Sequence, residues 1–151
     1  MVAQAHAPAG PVPVVELDIA AMHKTLREGS ATTRQYVHTY LDRIAEFDTA
    51  GPNLNAVVNT HTAALARADE LDAELARSGE LVGPLHGVAI LVKDNIDVVG
   101  IPLSNGLAAF SEYEPPTDAT LIKKLKDAGA IIIGKTTMPD FATSWWAYSS
   151  L

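Results

Sequence analysis

Residues 83–97 read Gly83-Pro-Leu-His-Gly-Val-Ala-Ile-Leu-Val-Lys93-Asp-Asn-Ile-Asp97, an apolar run that ends abruptly in a lysine and a polar turn. Gly87 to Val92 is short and shows no polar alternation, which predicts a strand buried on both faces of a mostly parallel sheet and hence an α/β fold. Lys93 then stands at the carboxyl end of that strand, beside the crevice where open α/β sheets bind ligands. A lysine followed by Asp and Asn also fits a solvated exit from a sheet into a turn. The segment alone leaves both readings open.

Downstream residues complete a supersecondary unit. A loop runs through Pro102 to Pro116, a helix is expected over about 118–128, and Ala130-Ile-Ile-Ile-Gly134 forms a second apolar strand. This is a βαβ crossover, which brings the residue after each strand to one edge of the sheet, so Lys93 and Lys135 are expected to share that edge. Thr117 is the expected helix N-cap and Asp118 complements the positive helix end. Lys123, Lys124 and Lys126 sit toward the negative end, and Gly129 terminates the helix. Gly134-Lys135-Thr136-Thr137 has a glycine five residues upstream, but Gly129 serves as a helix terminator in helix-to-strand order, the reverse of a phosphate-binding loop, which argues against a nucleotide site.

Upstream, helical periodicity dominates. Leu17, Ala20, Ala21 and Leu26 mark a helix over 17–28 that ends at Gly29. Thr32 and Gln35 form a capping box ahead of Val37, Tyr40, Leu41, Ile44 and Phe47, and Gly51-Pro52-Asn53 closes that helix. Leu54 to Asn59 is expected as a short strand. Ala64, Leu65, Ala68, Leu71 and Leu75 mark a third helix that stops at Ser78-Gly79. The stripes span too few heptads for a coiled coil and read as core-facing. Residues 1–15, with three prolines, lack the basic start and long apolar run of a signal peptide and read as a flexible tail.

Composition excludes several function classes. The 151 residues are 48% hydrophobic with a net charge of −7, and the pI near 5.1 argues against a nucleic-acid footprint, which needs clustered Lys and Arg. No cysteine is present, so disulfides and thiolate metal sites are excluded, and the chain is compatible with the reducing cytoplasm in which it is expected. His6, His23, His38, His61 and His86 show no zinc-ligand spacing. No apolar run reaches membrane-spanning length, which predicts a soluble chain. Trp145, Trp146 and Tyr148 read either as buried core or as the lining of an apolar substrate channel.

Taken together, the segment 83–97, Asp118-Ala-Thr, and Leu125-Lys-Asp-Ala-Gly-Ala-Ile-Ile-Ile-Gly-Lys-Thr-Thr-Met-Pro-Asp-Phe-Ala142 closely resemble the amidase signature family. The resemblance is strong over residues 81–151, whereas 16–79 match the family's helical lead-in only in pattern. It implies an α/β fold with a mixed, largely parallel sheet covered by helices. It also implies a hydrolase that cleaves carboxylic amides through a Ser, Ser, Lys triad and an acyl-enzyme, without a cofactor. Lys93 matches the catalytic lysine, held neutral to accept a proton through a bridging serine. Lys135 matches a motif residue outside the triad, so a structural contact is expected there. The 103–107 segment, Leu-Ser-Asn-Gly-Leu, keeps Ser104 and Gly106 of the family's string but carries Leu107 where a serine is usual.

A lysine ammonium normally ionises near 10.4, and a base working near ~7 to 8 requires roughly 4 kcal/mol of bias against its charged form. Desolvation by Val92 and Ile90 is the expected source, with Asp94 turned away from Lys93 toward backbone amides of the turn. The resemblance also implies that both catalytic serines lie beyond Ser149-Ser150-Leu151 rather than coincide with them. Residues 16–151 are therefore read as the amino-terminal part of a single amidase domain, inactive in isolation. Its partners would be a small amide substrate, with no nucleic acid or membrane, and a homodimer remains open. The alternatives are the glutamine-hydrolysing component of a tRNA-dependent amidotransferase, or a non-catalytic scaffold.

Overall fold

A computed structural model describes residues 10–142 and 149–150. In chain order these form α1 (Ile19–Glu28), α2 (Thr33–Arg43), a wide π-helical turn (Ile44–Thr49) and β1 (Val57–Thr60). They continue through α3 (Ala64–Ser78), β2 (Ala89–Lys93), α4 (Thr120–Asp127) and β3 (Ile131–Thr136). The sheet order is β1-β3-β2, with β2 parallel and β1 antiparallel to β3. The expected βαβ unit is present, and the sheet is mixed.

The central strand is β3, and its side chains feed two cores. Ile131 and Ile133 pack with Val37 of α2 and with Ala64, Ala68 and Leu71 of α3. Ile132 packs on the other face with Val92, Val98, Ile101 and Ile122 of α4. Each fully buried isoleucine contributes roughly 1.5–3 kcal/mol relative to exposure. The double-sided burial expected of 87–92 thus belongs to β3. Among the described residues β2 pairs on one side only, and its Leu91 is 37% exposed, so the apolar run there covers one face fully and the other only in part. At Gly134 the strands leave no room for a side chain: a Cβ there would run into the carbonyl oxygen of Asn59 on β1.

The capping chemistry explains where the helices begin and end. Both halves of the Thr32/Gln35 capping box are formed, and Asp72 of α3 adds a second clamp by accepting from the backbone amides of Thr33 (2.7 Å) and Arg34 (3.0 Å). Asp18 caps α1, and Gly29 and Gly79 close α1 and α3 in the left-handed conformation. Three sequence expectations are corrected. The buried face of α1 carries Met22, His23 and Leu26, while Ala20 and Ala21 are exposed. The N-cap of α4 is Ala119 rather than Thr117, and Asp118 instead accepts from the Val99 amide (2.8 Å) and Lys126 Nζ (2.7 Å), tying the loop after β2 to α4. Finally, β1 starts at Val57 because Leu54 and Asn55 are bonded back to Phe47 and Asp48 of the π-helical turn.

Val12 and Val14, within the segment read as tail, pack against the cluster of Met22, Leu26, Ala31 and Tyr36. The Val12 amide also donates to Thr39 Oγ1 (3.3 Å). Among the described residues no helix is long and apolar enough to cross a membrane, and no group of three or more acidic or histidine side chains is arranged to hold a metal ion.

Candidate active site

The parallel pairing of β2 and β3 sets the geometry of the two lysines. Val92 lies opposite Lys135, and Lys93 lies opposite Thr136. The lysines therefore share the carboxyl end of the sheet, as expected, but alternation of side chains sends them to opposite faces.

Lys93 is exposed, on the face it shares with Leu91. Its Nζ donates to the carbonyl oxygen of Thr137, the residue immediately after β3. An ammonium has three donors, so this bond fixes the nitrogen and leaves two for other partners. The side chain borders a cavity of about 600 Å³ whose wall includes Val57 and Val58 of β1, Thr137, Met138 and Ser149. Val92 and Ile90, named from the sequence as the residues that would desolvate Lys93, both point to the buried face. That expectation is corrected by strand alternation, since only i±2 neighbours share a face.

On the opposite face Lys135 is fully buried, as is Asp94. Lys135 Nζ lies 4.0 Å from Asp94 Oδ1 and makes no hydrogen bond among the described residues. Burial drives the Lys135 ammonium below its ordinary ionisation range, opposed by the Asp94 and Asp97 carboxylates. Asp94 turns away from Lys93, as expected, and receives the Ser104 hydroxyl, the Ser104 amide (3.2 Å to Oδ2) and the Gly106 amide (3.4 Å). Lys135 thus sits inside a strand as a charge partner, which accounts for the Gly-Lys-Thr string without phosphate chemistry.

The Ser104–Gly106 turn is also a docking point for the chain beyond β3. Gly106 has φ +76°, and a Cβ there would lie 2.5 Å from the Met138 carbonyl oxygen, so the turn and residues 138–139 touch backbone to backbone. Ser149 Oγ donates to the Gly106 carbonyl (2.7 Å), and the Ala108 amide donates to Ser150 Oγ (2.9 Å). His86 is packed beneath the start of β2. Its Nδ1 accepts from the Val82 amide (3.1 Å) and its carbonyl oxygen bonds His23 Nε2 (3.0 Å). Burial first, and then the nearby His23, lower its ionisation below the usual histidine range. Trp145, Trp146 and Tyr148 lie outside the described residues.

Sequence reasoning singled out Lys93 and turned Asp94 the right way, but it missed the Lys135–Asp94–Ser104 cluster. A signal was available in the lysine that interrupts an otherwise apolar strand. Such a residue is rarely buried unless paired.

The family model described as Amidase matches residues 35–151. The chain is 42% identical over 118 residues to an indoleacetamide hydrolase of Bradyrhizobium diazoefficiens, covering 78% of this chain and 22% of that protein. It is 39% identical over 136 residues to a mandelamide hydrolase of Pseudomonas putida, covering 89% and 26%. A glutamyl-tRNA(Gln) amidotransferase component of Alkaliphilus metalliredigens is 39% identical over 130 residues, covering 85% and 26%. The fold matches the crystal structure of the peptide amidase from Stenotrophomonas maltophilia with a TM-score of 0.81 and 38% identity, over 85% of this chain and 26% of that one. The chain therefore spans about a quarter of the length of these relatives. With the βαβ unit, the helical cover and the family match in agreement, the chain belongs to the amidase family.

Proposed function

We propose that the protein carrying this segment hydrolyses the carbon–nitrogen bond of small carboxylic amides, with Lys93 as the terminal base of a Ser, Ser, Lys triad. The observation that carries this reading is the placement of Lys93: an exposed amine at the carboxyl end of a strand, oriented by the Thr137 carbonyl and bordering a cavity of about 600 Å³. In this reading the lysine accepts a proton through a bridging serine, and the nucleophilic serine attacks the amide carbonyl. The amine leaves protonated, and water then releases the acid from the acyl-enzyme. Both serines, and the backbone amides that stabilise the oxyanion, would come from outside the described residues, as would the cover that desolvates Lys93. The apolar wall formed by Val57, Val58 and Met138 suits an aryl or aliphatic acyl group, in keeping with the indoleacetamide hydrolase among the relatives.

The test is hydrolysis of indole-3-acetamide by the full-length protein and its Lys93→Ala variant, together with labelling by a serine-directed fluorophosphonate. Release of ammonia that depends on Lys93 supports the reading. Full activity in Lys93→Ala, or the absence of both turnover and labelling in the parent protein, sinks it. A second reading, glutamine hydrolysis within a heteromeric amidotransferase, rests on the amidotransferase relative. Glutaminase activity that appears only with copurified partner chains would favour it.

A further inference from the structure

The face of the sheet opposite Lys93 holds a buried charge pair that amide hydrolysis, as described, leaves unused. Lys135 reaches into a site with no solvent exposure, where its only charged neighbour within ion-pair distance among the described residues is Asp94 at 4.0 Å. Asp94 in turn gathers the hydroxyl and amide of Ser104 and the amide of Gly106. Three contacts from later in the chain converge on that turn. The Phe141 amide donates to the Asn105 carbonyl (2.9 Å), Ser149 Oγ to the Gly106 carbonyl (2.7 Å), and the Ala108 amide to Ser150 Oγ (2.9 Å). The polypeptide that leaves β3 is thus seated on a loop whose inner bonds end at one carboxylate, and that carboxylate is the residue next to Lys93.

A carboxylate buried without a cation is strongly disfavoured, and the group avoids that state by moving toward water or taking a proton. Either response would weaken or break the bonds from the donors of residues 104 and 106. We propose that Lys135 is a positioning residue: by compensating the buried Asp94 charge it fixes the 104–108 loop, and with it the Ser149–Ser150 segment, relative to Lys93. The β2–β3 register makes the coupling rigid, since Lys135 pairs with Val92, and the next residues, Thr136 and Lys93, pair with each other. The Asp94 amide also bonds the Thr136 carbonyl (3.2 Å). The catalytic part of this inference rests on the amide-hydrolysis reading above, whereas the loop part does not.

The experiment compares Lys135→Met, Asp94→Asn and the double variant with the parent in the full-length protein, by amide hydrogen exchange and by steady-state kinetics on indole-3-acetamide. In Lys135→Met the amides of Ser104 and Gly106 are expected to exchange about 10-fold faster or more, while those of α2 and α3 keep the parent rate. Its kcat is expected to fall about 10-fold with KM within about twofold, because substrate binding is retained while alignment is lost. Adding Lys135→Met to Asp94→Asn should loosen residues 104–108 no further, since the lysine acts on that loop through the aspartate. Unchanged exchange over 104–108, or an unchanged kcat in folded Lys135→Met, overturns the proposal. Should that variant fail to fold, the double variant decides: parent-like exchange and kcat there overturn it, and loosened 104–108 amides with reduced kcat sustain it. A parent protein that hydrolyses no amide defeats the functional reading instead, and the exchange result then judges the loop on its own.

Discussion

The two lysines at the carboxyl end of the β2–β3 pair sit one register step apart and live in opposite surroundings. Lys93 is exposed, held by a backbone carbonyl and open to a cavity. Lys135 is sealed from solvent beside a carboxylate. The same residue type at the same end of the same sheet is thus available for chemistry on one face and committed to structure on the other. The difference lies in which face the pleat assigns to each residue, since α4 and the 98–101 and 104–108 segments cover only one side. Nearness to a strand end is therefore a weaker guide to function than the face presented there.

The comparison can be sharpened by substitutions on either face. The largest effect is expected for Lys93→Ala in the full-length protein: a loss of ~10²- to 10⁴-fold in kcat/KM, the range typical of a removed general base. Next comes Asp94→Ala, which leaves the Lys135 ammonium buried without a partner. It should cost about 3–5 kcal/mol, seen as a lower denaturant midpoint at unchanged slope. Gly134→Ala cuts across the comparison, because Gly134 pairs with Leu91 on the face of Lys93 yet packs against the Asn59 carbonyl. A loss of about 1–3 kcal/mol is expected there, and a neutral result would show that β1 can retreat from β3.

The smallest effect is a pH slope from His86. Its folded ionisation is lowered by burial and by His23, whereas the unfolded imidazole binds a proton near ~6.5. Below that point the unfolded chain holds more protons than the folded one. Stability therefore falls as pH drops from neutral until the folded value is passed. Melting temperatures across pH 5 to 8 should show a shallower acid decline in His86→Asn than in the parent.

Much of the scaffold was legible because its signals are local. The Thr32/Gln35 box, the glycines ending α1 and α3, and the isoleucine run of β3 each specify conformation within a few residues. The position of Lys93 at the end of β2 was legible for the same reason. Placement across the sequence could not be read. Which strand would be central depends on pairing partners dozens of residues away, so the run at 87–92 and the run at 130–134 could not be ranked by hydrophobicity. The Asp94–Lys135 pair spans two strands and a turn, and the desolvation of Lys93 was assigned to Val92 and Ile90 because an unbroken apolar run hides which face the pleat gives each residue. Thr117 failed as a cap because Asp118 found a lysine and a loop amide first, a competition that propensity does not represent.

The π-helical turn at Ile44–Thr49 carries a consequence for how this scaffold tolerates change. Asp48 is buried and accepts from the amides of Ala56 (2.6 Å) and Val57 (3.2 Å), while Leu54 and Asn55 bond back to Phe47 and Asp48. The intervening loop is closed on its own stem like a buckle, with the first residue of β1 as its tongue. Surface loops usually absorb inserted residues at small entropic cost. Here an insertion would have to leave those four bonds and the start of β1 in place, so length variation between residues 50 and 55 should be poorly tolerated for a surface loop.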